Sequence, residues 1–328
     1  MNTSLIAVLV ISLLLSVHAL FDADEITNLP GTENLEINFK QYSGYLQIAG
    51  VNGKLTKNMH YWFTQSTTDT YNAPLTFWTN GGPGCSGLIG FFTEQGPFRP
   101  EADGSLSLNE YAWNKLSNMV FIESPAGVGF SYSDDKDDNT IGDEQTAIDN
   151  YNLIQAFLVK FPEYKNNSLY ISSESYGGHY MPQLAKVIVD ENSKGLNNHL
   201  NFKGFAVGNP YTDKYSGTPA MVETLWGHQL LPAPAYLFYQ QVCGSKSKVD
   251  AAKCTALEYK LCSNYDGNLN PYALDYPVCV GDSLKKKGRA QRTWLLNYLL
   301  DHHLTIDEKK QLGVSLKEGL NISTILIP

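Results

Sequence analysis

The sequence predicts an α/β fold: a mostly parallel sheet with helices on both faces, carrying a cysteine-clamped, loop-rich insertion. Three observations predict it. Four short apolar runs, Leu75–Thr79, Met119–Ile122, Leu169–Ser172 and Phe202–Val207, are bounded by Gly, Pro, Ser or Asn and read as buried strands. Two segments, near Asp143–Lys160 and Tyr180–Asp190, space their apolar residues for helices, and strands alternating with helices make a parallel sheet. Four of the five cysteines crowd into residues 243–279, which reads as a loop-rich insertion.

Along the chain, residues 5–15 are an apolar run too short to span a bilayer, followed by Val17-His18-Ala19 with small residues at the cleavage positions. This reads as a secretory leader cut after Ala19, and no later segment is apolar for long enough to anchor the chain. The product is expected to be soluble, either secreted or delivered to a vacuolar or lysosomal compartment. Gln41–Ile48 and His60–Gln65 are expected to pair as a hairpin across the Asn52-Gly53 turn signal. The expected organisation is leader 1–19, core 20–210, insertion 211–300 and a C-terminal segment 301–328.

Composition narrows the function classes. A net charge of −9 argues against nucleic acid or an anionic membrane as partner. There is no internal repeat, and no dinucleotide-binding or P-loop glycine pattern. No ligand-spaced His/Cys cluster occurs, so neither a metal nor an organic cofactor is implied. Asn166 and Asn321 head glycosylation sequons. An odd cysteine count in an oxidising compartment allows two bridges among Cys243, Cys254, Cys262 and Cys279, in three possible pairings, and leaves Cys85 over.

The chemistry concentrates at residues 170–178, Tyr-Ile-Ser-Ser-Glu-Ser-Tyr-Gly-Gly, where an apolar strand runs into small residues around Ser175. A serine becomes nucleophilic only when a base can reach it, and a sharp strand-to-helix turn projects it for that purpose. Ser173 and Gly177 occupy the two positions where such a turn brings the backbone close, with serine in place of the usual first glycine. Two further loops follow strands: residues 80–87, Asn-Gly-Gly-Pro-Gly-Cys-Ser-Gly, and residues 123–132, Glu-Ser-Pro-Ala-Gly-Val-Gly-Phe-Ser-Tyr. The density of glycine in the first lets backbone N–H groups approach a substrate oxygen. In parallel sheets ligands bind beyond the carboxyl ends of the strands, where all three loops are expected.

The runs WTNGGPGCSG, ESPAGVGFSYS, SESYGGHYMP and VGNPYTD, in this order between about residues 30 and 300, make the chain resemble the serine carboxypeptidases, α/β-hydrolases that remove C-terminal residues from peptides. The resemblance implies that Ser175 is the nucleophile and that Gly82 and Tyr176 supply the oxyanion-hole N–H groups. It further implies that Asn80, Glu94 and Glu174 hold the terminal carboxylate of a peptide or protein substrate. Two carboxyls can face a carboxylate only when they carry protons, so activity is expected to peak in acid. Residues 211–300 resemble the cap insertion of that family, which implies that the cysteine-clamped insertion is mainly helical.

The family's triad acid lies in a Ser-Gly-Asp context and its histidine in a Gly-x-Gly-His-Met context, and neither occurs here. His302 and His303, beside Asp301, read as a surface pair. In relatives the cysteine of the glycine-rich motif bridges to a residue beyond the insertion, which agrees with an unpaired Cys85 and with a chain that stops before the family's last strands. Such a chain is expected to expose an edge at Phe202–Val207 and to be weak or inactive as a peptidase. The alternatives are a secreted non-catalytic relative that binds peptide C-termini, and an acyltransferase using the same serine.

Overall fold

The structure is a computed structural model, and it describes residues 23–244, 251–263, 270 and 272–274. The chain divides into two units, Met1–Thr212 and Asp213–Pro328. The leader-like residues 5–19, Cys279, Asp301, His302, His303 and Asn321 lie outside the described residues. No helix among the described residues is long and apolar enough to cross a membrane.

Among its described residues the first unit is built on a seven-stranded sheet. Strands β1 (Gln41–Ala49) and β2 (Leu55–Thr64) pair antiparallel as the expected hairpin. β3 (Leu75–Thr79), β6 (Asn118–Ile122), β8 (Leu169–Glu174) and β9 (Phe202–Gly208) run parallel in the order β6-β3-β8-β9, with β2 joining antiparallel at β6. The short β7 (Tyr132–Ser133) pairs with β2, while β4 (Phe98–Pro100) and β5 (Leu106–Leu108) form a separate two-stranded ribbon. β3 and β6 are buried along their whole length, as central parallel strands covered on both faces must be. Among the described residues β9 is last in the strand order, and Phe205 there is 47% exposed.

β2 begins five residues before the expected His60, because its polar residues are buried by partners instead of facing water. Lys57 donates to Asp149 at 2.6 Å with both side chains fully buried, and Asn58 accepts from Gln47 and donates to Asp134. A hydropathy pattern cannot signal burial that depends on residues 76 and 92 positions away.

Side chains alternate between the two faces of the sheet. Phe77, Val120, Ile122 and Ile171 point to one face, where helices α2 (Asp143–Lys160) and α3 (Gly177–Lys194) close over them. Phe157 of α2 sits here within 4.6–6.0 Å of the rings of Tyr61, Phe63, Phe77 and Phe161. Burying an aromatic of that size contributes about 2–3 kcal/mol. Trp78, Met119 and Phe121 point the other way, onto Phe91 of the short helix α1 (Leu88–Thr93) and onto Phe98 of β4. Asp143 and Glu144 open α2 and Lys160 closes it, each sign matching the helix dipole. α3 buries Tyr180, Met181, Leu184, Ala185 and Ile188 on one face, and ends at Gly195 in the left-handed conformation.

The second unit contains α4 (Lys214–Gly227), α5 (Ala233–Cys243) and α6 (Ala251–Ser263), gathered around Val222, Leu225, Phe238, Tyr239, Leu257 and Leu261. A disulfide joins Cys243 to Cys254, with Cα atoms 5.4 Å apart. This is one of the two bridges expected; Cys279, the remaining candidate partner for Cys262, lies outside the described residues. Cys262 is a thiol, its pKa pushed up to about 11 by burial and then by the Glu258 charge.

Candidate active site

The three loops singled out in the sequence emerge from the carboxyl ends of β3, β6 and β8, which are neighbouring parallel strands and therefore share one edge of the sheet. β8 passes into α3 through Ser175 and Tyr176 alone, and Ser175 takes φ +52°, a backbone region that a serine enters only under constraint. Three backbone bonds impose it. The Ser175 N–H donates to Gly208 O at 2.9 Å, and Ser175 O accepts from Tyr211 N at 2.7 Å and from Gly178 N at 2.9 Å. The ends of β8, β9 and α3 thus grip one residue and leave its side chain half-exposed.

The glycine-rich loop lies against this turn. A Cβ at Gly81 would fall 2.5 Å from Tyr176 N, 2.6 Å from Glu174 O and 3.0 Å from Ser175 Cβ. Only a residue without a side chain allows that approach. Gly82 follows at φ +109° and is exposed, while the loop is tied to α3 by the Gly84 N–H donating to Tyr180 Oη at 3.2 Å. The Tyr176 hydroxyl donates to Asp143 at the start of α2 at 3.0 Å, and its ring packs on His179 with centroids 4.7 Å apart. Burial first, and the Asp143 carboxylate second, push the Tyr176 phenol up. Cys85 is a half-buried thiol.

Asn80, Glu94 and Glu174 converge. The sheet register pairs Thr79 with Ser173, so the next residues on the two strands, Asn80 and Glu174, emerge side by side. Asn80 is buried, and its Oδ1 accepts from Trp78 Nε1 at 2.8 Å and from Gly90 N at 3.1 Å. Those two bonds fix which end of the amide is which. Its Nδ2 is left to donate to Glu174 Oε1 at 2.8 Å and to Glu94 Oε1 at 3.1 Å, bridging two half-buried carboxyls. Glu94 sits at the C-terminal end of α1, where Arg99 donates to its backbone oxygen. Burial, then the charge of Glu174, push the Glu94 carboxyl above its ordinary range, against the pull of the Asn80 amide. A proton held between paired carboxyls makes them donors to an incoming carboxylate.

Among the described residues no histidine is hydrogen-bonded to Ser175 Oγ. His60, read from the sequence as part of a structural strand, lies instead beside a carboxylate: its Nδ1 is 3.0 Å from Glu123 Oε2 and its Nε2 is 2.9 Å from Ser43 Oγ. Sequence reasoning missed this cluster and the Tyr176–Asp143 bond. The partners are 17, 63 and 33 positions apart, and no local pattern marks them.

The sequence profile of the serine carboxypeptidase family matches residues 30–314. Serine carboxypeptidase-like 28 of Arabidopsis thaliana is 40% identical over 261 residues, covering 78% of this chain and 55% of its own length. Serine carboxypeptidase-like 27 of the same plant is 38% identical over 278 residues, covering 83% of this chain and 60% of its own. The chain therefore spans a little over half the length of these relatives. Among solved structures, the prohormone-processing carboxypeptidase of Saccharomyces cerevisiae superposes with a TM-score of 0.65 at 23% identity, over 88% of this chain and 69% of that one, which shows the α/β-hydrolase fold. Sheet order, elbow and profile agree, and the chain belongs to the serine carboxypeptidase family.

Proposed function

We propose that this chain supplies the nucleophile, the oxyanion loop and the carboxylate-binding clamp of a serine carboxypeptidase that acts on peptide C-termini in acid. The observation that carries this reading is the buried Asn80 amide held between Glu94 and Glu174, one residue from Ser175. An endopeptidase has no use for a protonated carboxyl pair beside its serine. An enzyme that measures from the chain end does, because a terminal carboxylate then receives hydrogen bonds from Asn80 Nδ2 and from the acid pair.

With the carboxylate in the clamp, the scissile carbonyl is brought to Ser175 Oγ, and the N–H groups of Gly82 and Tyr176 receive its oxygen as charge develops there. Attack forms an acyl-enzyme and releases the terminal residue; water then frees the acyl group. Proton removal from Ser175 belongs to a general base, and the sequence contains neither triad context of the family. The leader-like residues 5–19 would route the chain through the secretory pathway to a compartment acid enough to protonate Glu94.

Two measurements on the full chain test the reading. A fluorophosphonate probe at about pH 5, where carboxyls share protons, is expected to label the protein weakly, without a histidine on Ser175 Oγ among the described residues, and to leave its Ser175→Ala variant unlabelled. A peptide with a free C-terminal carboxylate is expected to bind more tightly than its C-terminal amide, and to lose that advantage as pH rises through the raised pKa of Glu94. Equal binding of acid and amide at every pH would end the clamp reading. Binding without labelling would instead favour the non-catalytic relative, in keeping with the absence of a histidine on Ser175 Oγ among the described residues.

A further inference from the structure

We infer that Glu123 is a positioning residue: its buried carboxylate latches the glycine-rich loop and, through α1, sets the geometry of the carboxylate clamp. The second half of this inference rests on the reading of Asn80, Glu94 and Glu174 given above.

Glu123 is the first residue after β6 and is 1% exposed. Its two oxygens serve two different loops. Oε1 accepts from the Ser86 hydroxyl of the glycine-rich loop, and Oε2 accepts from the Phe130 N–H at 2.8 Å. The backbone of Glu123 is held as well, since its N–H donates to His60 O at 3.2 Å and its carbonyl accepts from Ser131 Oγ at 2.6 Å. The second loop wraps so closely that a Cβ at Gly129 would lie 1.8 Å from Glu123 Oε1. Nothing larger than glycine could pass over the carboxylate there.

The latch reaches the clamp along a short path. Ser86 Oγ, held by Glu123, accepts the Leu88 N–H at 3.1 Å, and Ser86 O accepts the Ile89 N–H at 3.1 Å, so Ser86 sets the start of α1. α1 is six residues long, so its two ends move together. Within it, the Gly90 N–H orients Asn80, and Glu94 at its end is one of the two clamp acids. A shift of Ser86 is therefore a shift of both the amide and one carboxyl of the clamp.

Ser43, His60 and Glu123 also draw the outline of a second Ser-His-acid relay, and the geometry argues against a nucleophilic role. Ser43 lies within β1 with its N–H donated to Asp24 O at 2.9 Å, and His60 Nδ1, although 3.0 Å from Glu123 Oε2, is not aligned for a hydrogen bond with it. A nucleophile needs a projecting turn and free oxyanion donors, and a paired strand offers neither. His60 serves instead as the polar wall beside the carboxylate. Burial pushes Glu123 up, yet the His60 ring, the Ser86 hydroxyl and the Phe130 N–H together hold it below the ordinary range. Glu94 is pushed the opposite way, so one pH keeps the clamp acid protonated and the latch acid ionised.

The test is a double-mutant cycle on the full chain with Glu123→Gln, Ser86→Ala and the pair, read by hydrogen–deuterium exchange and by the affinity ratio between a free-carboxylate peptide and its amide. Glutamine turns an N–H₂ either toward the Phe130 N–H, donor against donor, or toward the Ser86 hydroxyl, which must then swing its own proton away; in both cases the charge that the two loops bond to is lost. Each single variant is expected to speed exchange of the amides at 86–93 about tenfold, the scale of losing a hydrogen bond to a charged group. Exchange in α2 should be unchanged, and the double variant should be no faster than either single one. The affinity ratio should fall in parallel and recover in part with Glu123→Asp. Unchanged exchange at 86–93, or additive effects, would overturn the latch. A wild-type chain that binds acid and amide alike would overturn the clamp reading and leave the exchange cycle to judge the latch. Should Glu123→Gln fail to fold, Glu123→Asp replaces it in the cycle: it lengthens the bond to Ser86 and leaves the Leu88 N–H bond to Ser86 Oγ in place, so unchanged exchange at 86–93 in Glu123→Asp overturns the latch.

Discussion

Asn80 holds the candidate site together through four hydrogen bonds, and its replacement separates their contributions. Asn80→Ala removes the acceptor shared by Trp78 Nε1–H and Gly90 N–H, and both residues are buried. An orphaned buried donor costs about 1–3 kcal/mol, so the pair costs about 2–6 kcal/mol, a large share of the stability of an ordinary domain. That part of the loss should not depend on pH, because neither donor titrates; removing the amide that holds the Glu94 carboxyl down adds a further loss that grows as pH rises. Asn80→Asp keeps the acceptor for both donors and places a third carboxyl where the amide now stands 2.8 Å from Glu174 and 3.1 Å from Glu94.

In acid the three carboxyls can share protons and the aspartate variant should be nearly as stable as the parent. The introduced acid has its pKa raised in the folded state, so its folded form holds protons that the unfolded chain has released. Stability is then complete below the unfolded value and is lost as pH rises through the folded one. Each unit of that rise removes about 1.4 kcal/mol. Urea unfolding at pH 4.5 and pH 7, followed by tryptophan fluorescence, measures both variants against the parent. An Asn80→Asp penalty equal at the two pH values, or an Asn80→Ala penalty below about 1 kcal/mol, would refute the assigned orientation of the amide and its donation to the two acids.

Two further variants probe the scaffold. A Cβ at Gly177 would meet Ser173 Oγ at 2.1 Å and Ser173 Cβ at 2.3 Å, so Gly177→Ala should cost about 1–3 kcal/mol as an overpacked contact, and Ser173→Gly in the same chain should restore most of it by thermal melting. Lys57→Met strands Asp149 in the core and should cost about 3–5 kcal/mol, whereas Lys57→Met with Asp149→Leu should recover much of the loss in denaturant titrations.

Much of the framework was legible in the sequence. The runs at Leu75–Thr79 and Phe202–Val207 were read to within a residue, because a continuous apolar stretch between turn residues is the local signature of a buried parallel strand. Ser175 was legible for a similar reason: small residues on either side of a serine after such a run describe a turn that only a few side chains permit. The loops could be assigned to one edge of the sheet because parallel strands end on the same side.

The partners inside the site were another matter. That Asn80 presents its N–H₂, not its oxygen, to Glu94 and Glu174 follows from the Thr79–Ser173 register and from two donors at Trp78 and Gly90. Lys57 and Asn58 look like strand-ending residues until Asp149 and Asp134 arrive to satisfy them. Glu123 stood in the sequence as one polar residue at the head of a glycine-rich loop, and His60 as one strand residue among aromatics; only folding brings Ser86, Phe130 and His60 around one carboxylate. Short-range pattern records backbone shape, since neighbouring residues determine which dihedrals are allowed. Charge state and hydrogen-bond direction depend on what lies within about 3 Å, and for these residues that neighbourhood exists only once the sheet register and the loop closures have formed.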